Sequence, residues 1–287
     1  MADIEIRPFT TADIAFALAQ TAREGWDTND GLFDICLDHD PEGCFVAQDG
    51  GQPVGMVTTT FYRASGWIGN LIVKPKYRRR GIGARLMDKA IERLTSRGAT
   101  TLRLEADPPG VPLYRRLGFV DEFESLRFTG PANAPGAGAE AAADETGLEV
   151  LPLGDSHLVA DLDAAIFGDD RRKLLRLYLE RATAAYWVPG STSAGGYAML
   201  TRSSQGTRLG PWVADDSATA RALLTTILTR HHSRLIVGLP AVNTGAVRLL
   251  ESFSFAPTPP CRRMQRGSSA EAGEPAGIYA IANGAMG

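Results

Sequence analysis

The residues best suited to chemistry are Arg78-Arg79-Arg80-Gly81-Ile82-Gly83-Ala84. Two glycines opening a helix leave backbone N–H groups unpaired at the positive end of the helix dipole, and the missing Cβ atoms let an anion come close. Lys74, Lys76 and Arg85 add cationic charge in a chain whose formal net charge is -3. Positive charge that is local in a mildly acidic protein suits a small polyanion better than a long one.

The common phosphate loops do not match. A Walker loop needs Gly-Lys-Ser/Thr after its glycines, and no such run is present; the dinucleotide fingerprint needs a third glycine where this chain has Leu86. The flanks are a strand and a helix. Trp67 to Val73 is rich in β-branched and aromatic residues and is stopped by Lys74-Pro75. Apolar residues at Ile82, Leu86, Ala90, Ile91 and Leu94 follow a period near 3.6, and Gly98 stands where a left-handed C-terminal cap belongs.

A strand followed by Arg78-x-x-Gly81-x-Gly83 and a helix resembles the acetyl-CoA loop of the GNAT superfamily of N-acetyltransferases. A second feature follows at the family's spacing. After a strand at Thr100-Thr101-Leu102-Arg103-Leu104-Glu105, the run Leu113-Tyr114-Arg115-Arg116-Leu117-Gly118-Phe119 is similar to the family's L-Y-x-x-L-G-F segment. The resemblance covers residues 1 to about 128 and implies acetyl-CoA as cosubstrate, held by Leu71, Ile72, Val73, Arg78, Arg79, Arg80, Gly81, Ile82, Gly83, Ala84 and Tyr114. It implies a small-molecule or peptide amine as acceptor.

Moving an acetyl group from a thioester to an amine demands a neutral nucleophile, stabilisation of the tetrahedral oxyanion, and a proton for the departing thiolate. For the oxyanion, the resemblance points to backbone N–H groups around Ile72-Val73. For the thiolate it points to Tyr114, a phenol of pKa about 10 facing a thiolate whose acid has pKa about 8.5; the structural alternative is an aromatic half-buried on a helix. Many relatives carry a carboxylate on the central strand, and Trp67 to Val73 has none. Glu105 is the candidate base, directly or through a water, with a solvated strand-end charge as the alternative. Trp26, Phe33 and Tyr62 are candidates for the acceptor pocket or simply core.

Other chemistries find little support. The histidines His39, His157, His231 and His232 lack metal-ligand spacing, so no metal is expected. His231-His232 ends a helical stretch, where a cationic side chain would favour the dipole. Cys36, Cys44 and Cys261 are too few for a disulfide framework, and a reducing cytoplasm is expected. No G-x-S-x-G marks a serine nucleophile. Hydrophobic residues make up 44% and charged residues 22%, a balance that argues against nucleic-acid or anionic-membrane binding, and no apolar run is long enough to span a bilayer. A monomer or homodimer is expected.

At 287 residues the chain exceeds the usual size of one domain. The first part orders as β, α, α, β, β, β, α, β, α, β, with Thr10 or Thr11 capping a helix and Asp49-Gly50-Gly51 turning a hairpin. Gly130 to Thr146 is too poor in large apolar residues to pack, and so is assigned as linker. The pattern then repeats. Leu148-Glu149-Val150-Leu151-Pro152 echoes Ile4-Glu5-Ile6-Arg7-Pro8, Gly210-Pro211-Trp212-Val213 falls opposite Gly69-Asn70-Leu71-Ile72, and Leu249 to Phe255 matches Leu113 to Phe119.

The second copy lacks the loop: Asp215-Asp216-Ser217-Ala218-Thr219-Ala220 carries two carboxylates and no glycine, and Leu250 stands at the tyrosine's position. It is expected not to hold CoA in the same way. The expectation is thus an α/β (α+β) chain of two tandem GNAT-like domains, each a mixed, mostly antiparallel sheet flanked by helices: 1–129 catalytic, 130–147 linker, 148–287 degenerate. Such a tandem is similar to a group of little-characterised bacterial acetyltransferases. Two other function classes stay open on the residues: an acyl-CoA-binding regulatory module without catalysis, and a nucleic-acid contact through the arginine run.

Overall fold

The helix that opens at the glycines is α3, Ile82–Ser96, and its buried side chains are Ile82, Leu86, Met87, Ala90, Ile91 and Leu94. One apolar stripe on an otherwise charged helix has to find a sheet to cover. In the computed structural model, which describes residues 4–130, 147–190, 194–268 and 273–287, that stripe packs against Ala47, Val57, Ile68, Leu102 and Leu104. Of the expected linker, 130–147, residues 131–146 lie outside those described.

The chain divides into two compact units. The first comprises Met1–Asp121 with Met264–Ser269 and Gly284–Gly287. Its strands are β1 (Ile4–Pro8), β2 (Phe45–Asp49), β3 (Gln52–Phe61), β4 (Ser65–Val73) and β5 (Thr101–Ala106), in that spatial order, followed by the end of β12 (Ala256–Gly267). Its helices are α1 (Ile14–Arg23), α2 (Asp30–His39), α3 and α4 (Val111–Arg116). The expected order of elements is therefore present. β1 to β4 are antiparallel neighbours, whereas β4 and β5 run parallel because α3 carries the chain back. Gly66 lets helix and sheet approach, since a Cβ there would lie 2.8 Å from Leu94 Cδ1.

Two irregularities in β4 shape the rest. Thr58 pairs with Gly69 and Met56 with Ile72, so Val57 alone faces Asn70 and Leu71: a β-bulge. Asn70 takes φ 51, and its Nδ2 donates to Thr58 Oγ1 at 3.0 Å. Pairing of β4 with β5 covers only Ser65 to Trp67 against Thr101 to Arg103. Beyond it the strands splay, and among the described residues no other strand pairs with β4 there.

The second unit comprises Glu122–Arg263 and Ala270–Asn283. It contains most of β6 (Val120–Thr129), then β7 (Glu149–Val150), α5 (His157–Phe167), α6 (Arg172–Arg181), β8 (Ala184–Pro189), β9 (Ala194–Ser203), β10 (Gly206–Ala214), α7 (Ser217–Arg230), β11 (Leu235–Pro240), α8 (Thr244–Ser252), the start of β12, and β13 (Ile278–Ala280). Each unit thus includes a strand from the other half of the sequence. β6 pairs antiparallel with β11, from Ser125 opposite Pro240 to Thr129 opposite Ile236.

The core of the second unit centres on Trp212, Leu223, Leu224, Ile227 and Leu250. Beside it, Arg171 Nε and Nη2 each donate at 2.8 Å to Asp163, and Tyr197 hydroxyl donates to the same carboxylate. A buried bidentate pair with its spare lone pairs satisfied holds α5 to the chain leading into α6.

Burial, reinforced by Arg230 and His232, lowers the His231 pKa and so favours the neutral ring. Its Nε2 is hydrogen-bonded to Tyr186 hydroxyl at 2.9 Å. The cysteines Cys36, Cys44 and Cys261 are buried thiols, not a disulfide framework.

Candidate active site

The chain leaves β4 at Val73, makes a short 3-10 turn over Pro75–Tyr77, and enters α3 through Gly81 at φ 78. That left-handed conformation suits glycine. No side chain caps α3, and the first bond into the helix runs from Arg85 N to Gly81 O. The amides of Ile82, Gly83 and Ala84 therefore lie ahead of the helical ladder, where an anion can bind them. Gly83 is informative. A Cβ there would meet Leu113 Cδ2 at 3.6 Å and Val73 Cγ2 at 3.8 Å, ordinary contacts, so protein packing does not require glycine at 83. Without a Cβ the backbone at 83 is open to close approach.

The arginines divide by role. Arg78 Nε donates to Val73 O at 2.8 Å while its Nη2 pairs with Glu24, so this side chain braces the loop. The Arg80 guanidinium lies over the Tyr77 ring, 5.1 Å from its centre. Arg79, at φ 61, is exposed, and Arg85 reaches away to Ile4 O at 2.7 Å. Lys74 sits 5.0 Å over the Phe16 ring; burial lowers its pKa, and the nearby charges of Lys76 and Arg23 lower it further. Lys74, Lys76, Arg79 and Arg80 gather at this corner, the electrostatic condition for a bound polyanion.

The splayed end of β4 opens next to this loop. Lys74 N bonds Val54 O, and the carbonyl of Ile72 faces Gly55, so alternation turns the amides of Leu71 and Val73 away from β3 and toward β5. The bulge also reverses the side-chain phase, placing Leu71 and Val73 on the α3 face together with Leu113 and Tyr114 of α4. Ile72 is buried with its main chain turned to β3. The amides of Leu71 and Val73 thus face the splay, and that of Ile72 does not.

Tyr114 packs edge-on against Phe119, ring centres 6.2 Å apart, and its ring covers Gly110. Burial, with Asp107 second, pushes the Tyr114 phenol well above its ordinary value. Full proton transfer to a thiolate is correspondingly steeper than a free phenol would make it, while the neutral hydrogen-bond donor is held more firmly. Asp107 was not a residue the sequence singled out for this role; its carboxylate also accepts from Trp26 Nε1 at 2.8 Å, tying the start of the α1–α2 connection to the end of β5. Glu105 is half-buried on β5, on the face opposite α3. Of the three aromatics considered for the acceptor pocket, Phe33 is fully buried against Phe9, Tyr62 is 4% exposed, and Trp26 is half-buried.

The second unit repeats the geometry and closes it. β10 has its own irregularity between Leu209 and Trp212, and its parallel pairing with β11 covers only Thr207 and Arg208. In the gap that follows lies β13: Trp212 pairs with Ala280 and Val213 with Ile278, and Ile281 N donates to Gly238 O at 2.8 Å. Asp216 caps α7, its Oδ1 accepting from Thr219 N at 2.7 Å, and Leu250 is wholly buried. A cap carboxylate occupies the anion position and the chain's own strand fills the opening.

Among the described residues no group of three or more His, Cys, Asp or Glu could hold a metal ion, and no helix is long and apolar enough to cross a membrane. The description "Acetyltransferase (GNAT) family" matches residues 8–119, and "Acetyltransferase (GNAT) domain" matches residues 159–280. The uncharacterized N-acetyltransferase YitH of Bacillus subtilis is 24% identical over 223 residues, 77% of this chain and 76% of that protein. A crystal structure from Pyrococcus horikoshii, provisionally assigned as an acetyltransferase, superposes with TM-score 0.84 at 27% identity, covering 99% of this chain and 96% of the other. A tandem GNAT protein from the clavulanic acid biosynthesis pathway shares the fold, with TM-score 0.63 at 16% identity over 92% of this chain and 95% of that one. With a glycine-opened loop, a splayed β4–β5 pair, and a repeat of the same plan in its second half, the chain belongs to the GNAT superfamily as a tandem-domain N-acetyltransferase.

Proposed function

We propose that the first unit transfers the acetyl group of acetyl-CoA directly to a primary amine, and that the second unit takes no part in binding the cosubstrate. The observation that carries this is the juxtaposition of three features: the amides of Ile82, Gly83 and Ala84 ahead of the helical ladder, the splay of β4 from β5 beyond Trp67, and Tyr114 at its border. The residues fit the group: Gly83 leaves room that the protein does not use, and the surrounding cations suit a diphosphate.

Acetyl-CoA supplies an acetyl thioester. The amides of Ile82, Gly83 and Ala84 bind its diphosphate, and Arg79 and Arg80 add charge. The amides of Leu71 and Val73 stabilise the oxyanion formed when the amine attacks the carbonyl. Tyr114 donates a hydrogen bond to the departing sulfur, and Glu105 draws the proton from the amine directly or through a water. Because α3 covers one face of the sheet, the amine approaches the carbonyl from the face that bears Glu105.

Calorimetry with acetyl-CoA, followed by thiol release across a panel of primary amines, tests this. One tight site per chain with amine-dependent thiol release supports it. Binding without release toward any amine would leave the non-catalytic module as the better reading.

A further inference from the structure

The segment after β13, Gly284–Gly287, belongs to the first unit, and its contacts there are specific. Trp67 Nε1 donates to Gly284 O at 3.1 Å, and Tyr62 hydroxyl donates to Met286 O. Ala285 lies against Gly69 so closely that a Cβ at 69 would sit 2.5 Å from Ala285 Cα and 2.8 Å from its carbonyl oxygen. Gly284 adjoins Glu105, whose Cβ and Cγ would be 3.7 Å from a Cβ there. Ala285 and Met286 are buried.

These contacts share one face. Ile68, Leu102 and Leu104 point to α3, so by alternation Trp67, Gly69, Arg103 and Glu105 point the other way. Gly69 precedes Leu71 by two residues, across the bulge at Asn70. The segment therefore stands on the amine's side of the sheet, between the proposed base and the proposed oxyanion donor.

We propose that Gly284–Met286 forms the inner wall of the acceptor site, holding water away from the thioester carbonyl and bounding the space open to the amine. This rests on the acetyl-transfer reading above. Its residues contribute main chain and methyl or thioether surface, so the wall excludes solvent without offering a nucleophile or a charge to the carbonyl. When the wall is displaced, water takes the amine's place: its oxygen bonds to the carbonyl carbon, the C–S bond breaks, and acetate and the CoA thiol leave, one of water's protons ending on sulfur and the other passing to solvent.

The test is amine-independent thiol release from acetyl-CoA by the full chain and its variants. Gly69→Ala forces Ala285 off the sheet, and Tyr62→Phe removes one anchor at little cost to folding. Hydrolysis is expected to rise about tenfold in Gly69→Ala and less in Tyr62→Phe, with the acetyl-CoA dissociation constant within about twofold of wild type. Asp13→Asn, which breaks the ion pair to Arg7 at 2.7 Å elsewhere in the unit, controls for general loosening and should leave hydrolysis unchanged. Unchanged hydrolysis in Tyr62→Phe, and in Gly69→Ala where it folds, overturns the proposal, as does an equal rise in Asp13→Asn. Failure of the wild type to bind acetyl-CoA would instead strike the function proposed above.

Discussion

Asn70 donates through Nδ2 to Thr58 Oγ1 at 3.0 Å, across the place where β3 and β4 lose register. A non-glycine residue at φ 51 carries strain, and this bond, buried at both ends, offsets it. The consequence reaches the chemistry, because the bulge decides which amides of β4 face the splay.

Asn70→Ala removes the side-chain bond and keeps the strain, so stability should fall by about 1–2 kcal/mol. Turnover should fall about tenfold with the acetyl-CoA dissociation constant unchanged. Asn70→Gly tolerates the left-handed backbone and should recover most of the turnover. Equal kcat in all three proteins would show that the bulge does not set the oxyanion amides.

Gly83→Ala and Gly81→Val should act differently. A methyl at 83 meets only ordinary protein contacts, so the melting temperature should hold while acetyl-CoA affinity drops more than about tenfold. Valine at 81 must adopt φ 78, and should lose stability by about 1–2 kcal/mol as well as affinity. Thermal melts with and without acetyl-CoA separate the two.

Tyr114→Phe should slow turnover about 10²-fold, with the acetyl-CoA dissociation constant little changed. Because burial and Asp107 raise this phenol's pKa, its neutral donor form persists through the range where a free tyrosine ionises, near pH 10. The alkaline limb of wild-type kcat should therefore show no loss attributable to Tyr114 at that pH. Such a loss, absent in Tyr114→Phe, would place the phenol in solvent.

Asp40 binds Arg93 Nη2 and Arg97 Nη1, each at 2.7 Å, joining the end of α2 to α3. Burial pushes its carboxyl up, but the two guanidinium groups outweigh burial and hold it below the ordinary value. A depressed folded-state pKa contributes stability above the unfolded value near 3.9, and that contribution disappears as pH falls through the folded value. Urea melts should show Asp40→Asn destabilised by about 3 kcal/mol at pH 7, with the gap to wild type closing below pH 4.

Ending the chain at residue 147 should give insoluble protein. The first unit would lose Met264–Ser269 and Gly284–Gly287, exposing the edge of β5, while β6 would lose its partner β11. A soluble, cooperatively melting fragment would contradict the exchange of strands.

Local chemistry made much of this visible in advance. A proline after Val73, glycines at 81 and 83, an apolar stripe through α3 and the echo at Leu249 to Phe255 are all short-range signals, and the elements they mark are present. Asn70 could have been noticed as the polar residue interrupting an apolar strand. Asp107 and Trp26 could not have been paired, since 81 positions separate them and no pattern links an indole to a distant carboxylate.

The succession of strands and helices, the glycine loop and its loss in the second copy are legible in short stretches of residues, because each depends on backbone propensity within a few positions, and the duplicated plan follows from comparing those stretches. Where β6 and β12 pair, that β13 fills the gap beside β10, that Arg78 reaches Val73 O and Glu24, and that Gly284–Met286 lies against Gly69 were settled only by tertiary packing. Strand edges offer the same N–H and C=O groups to any partner, so composition does not choose among them. That choice belongs to the way whole faces bury together, which no local window of residues contains.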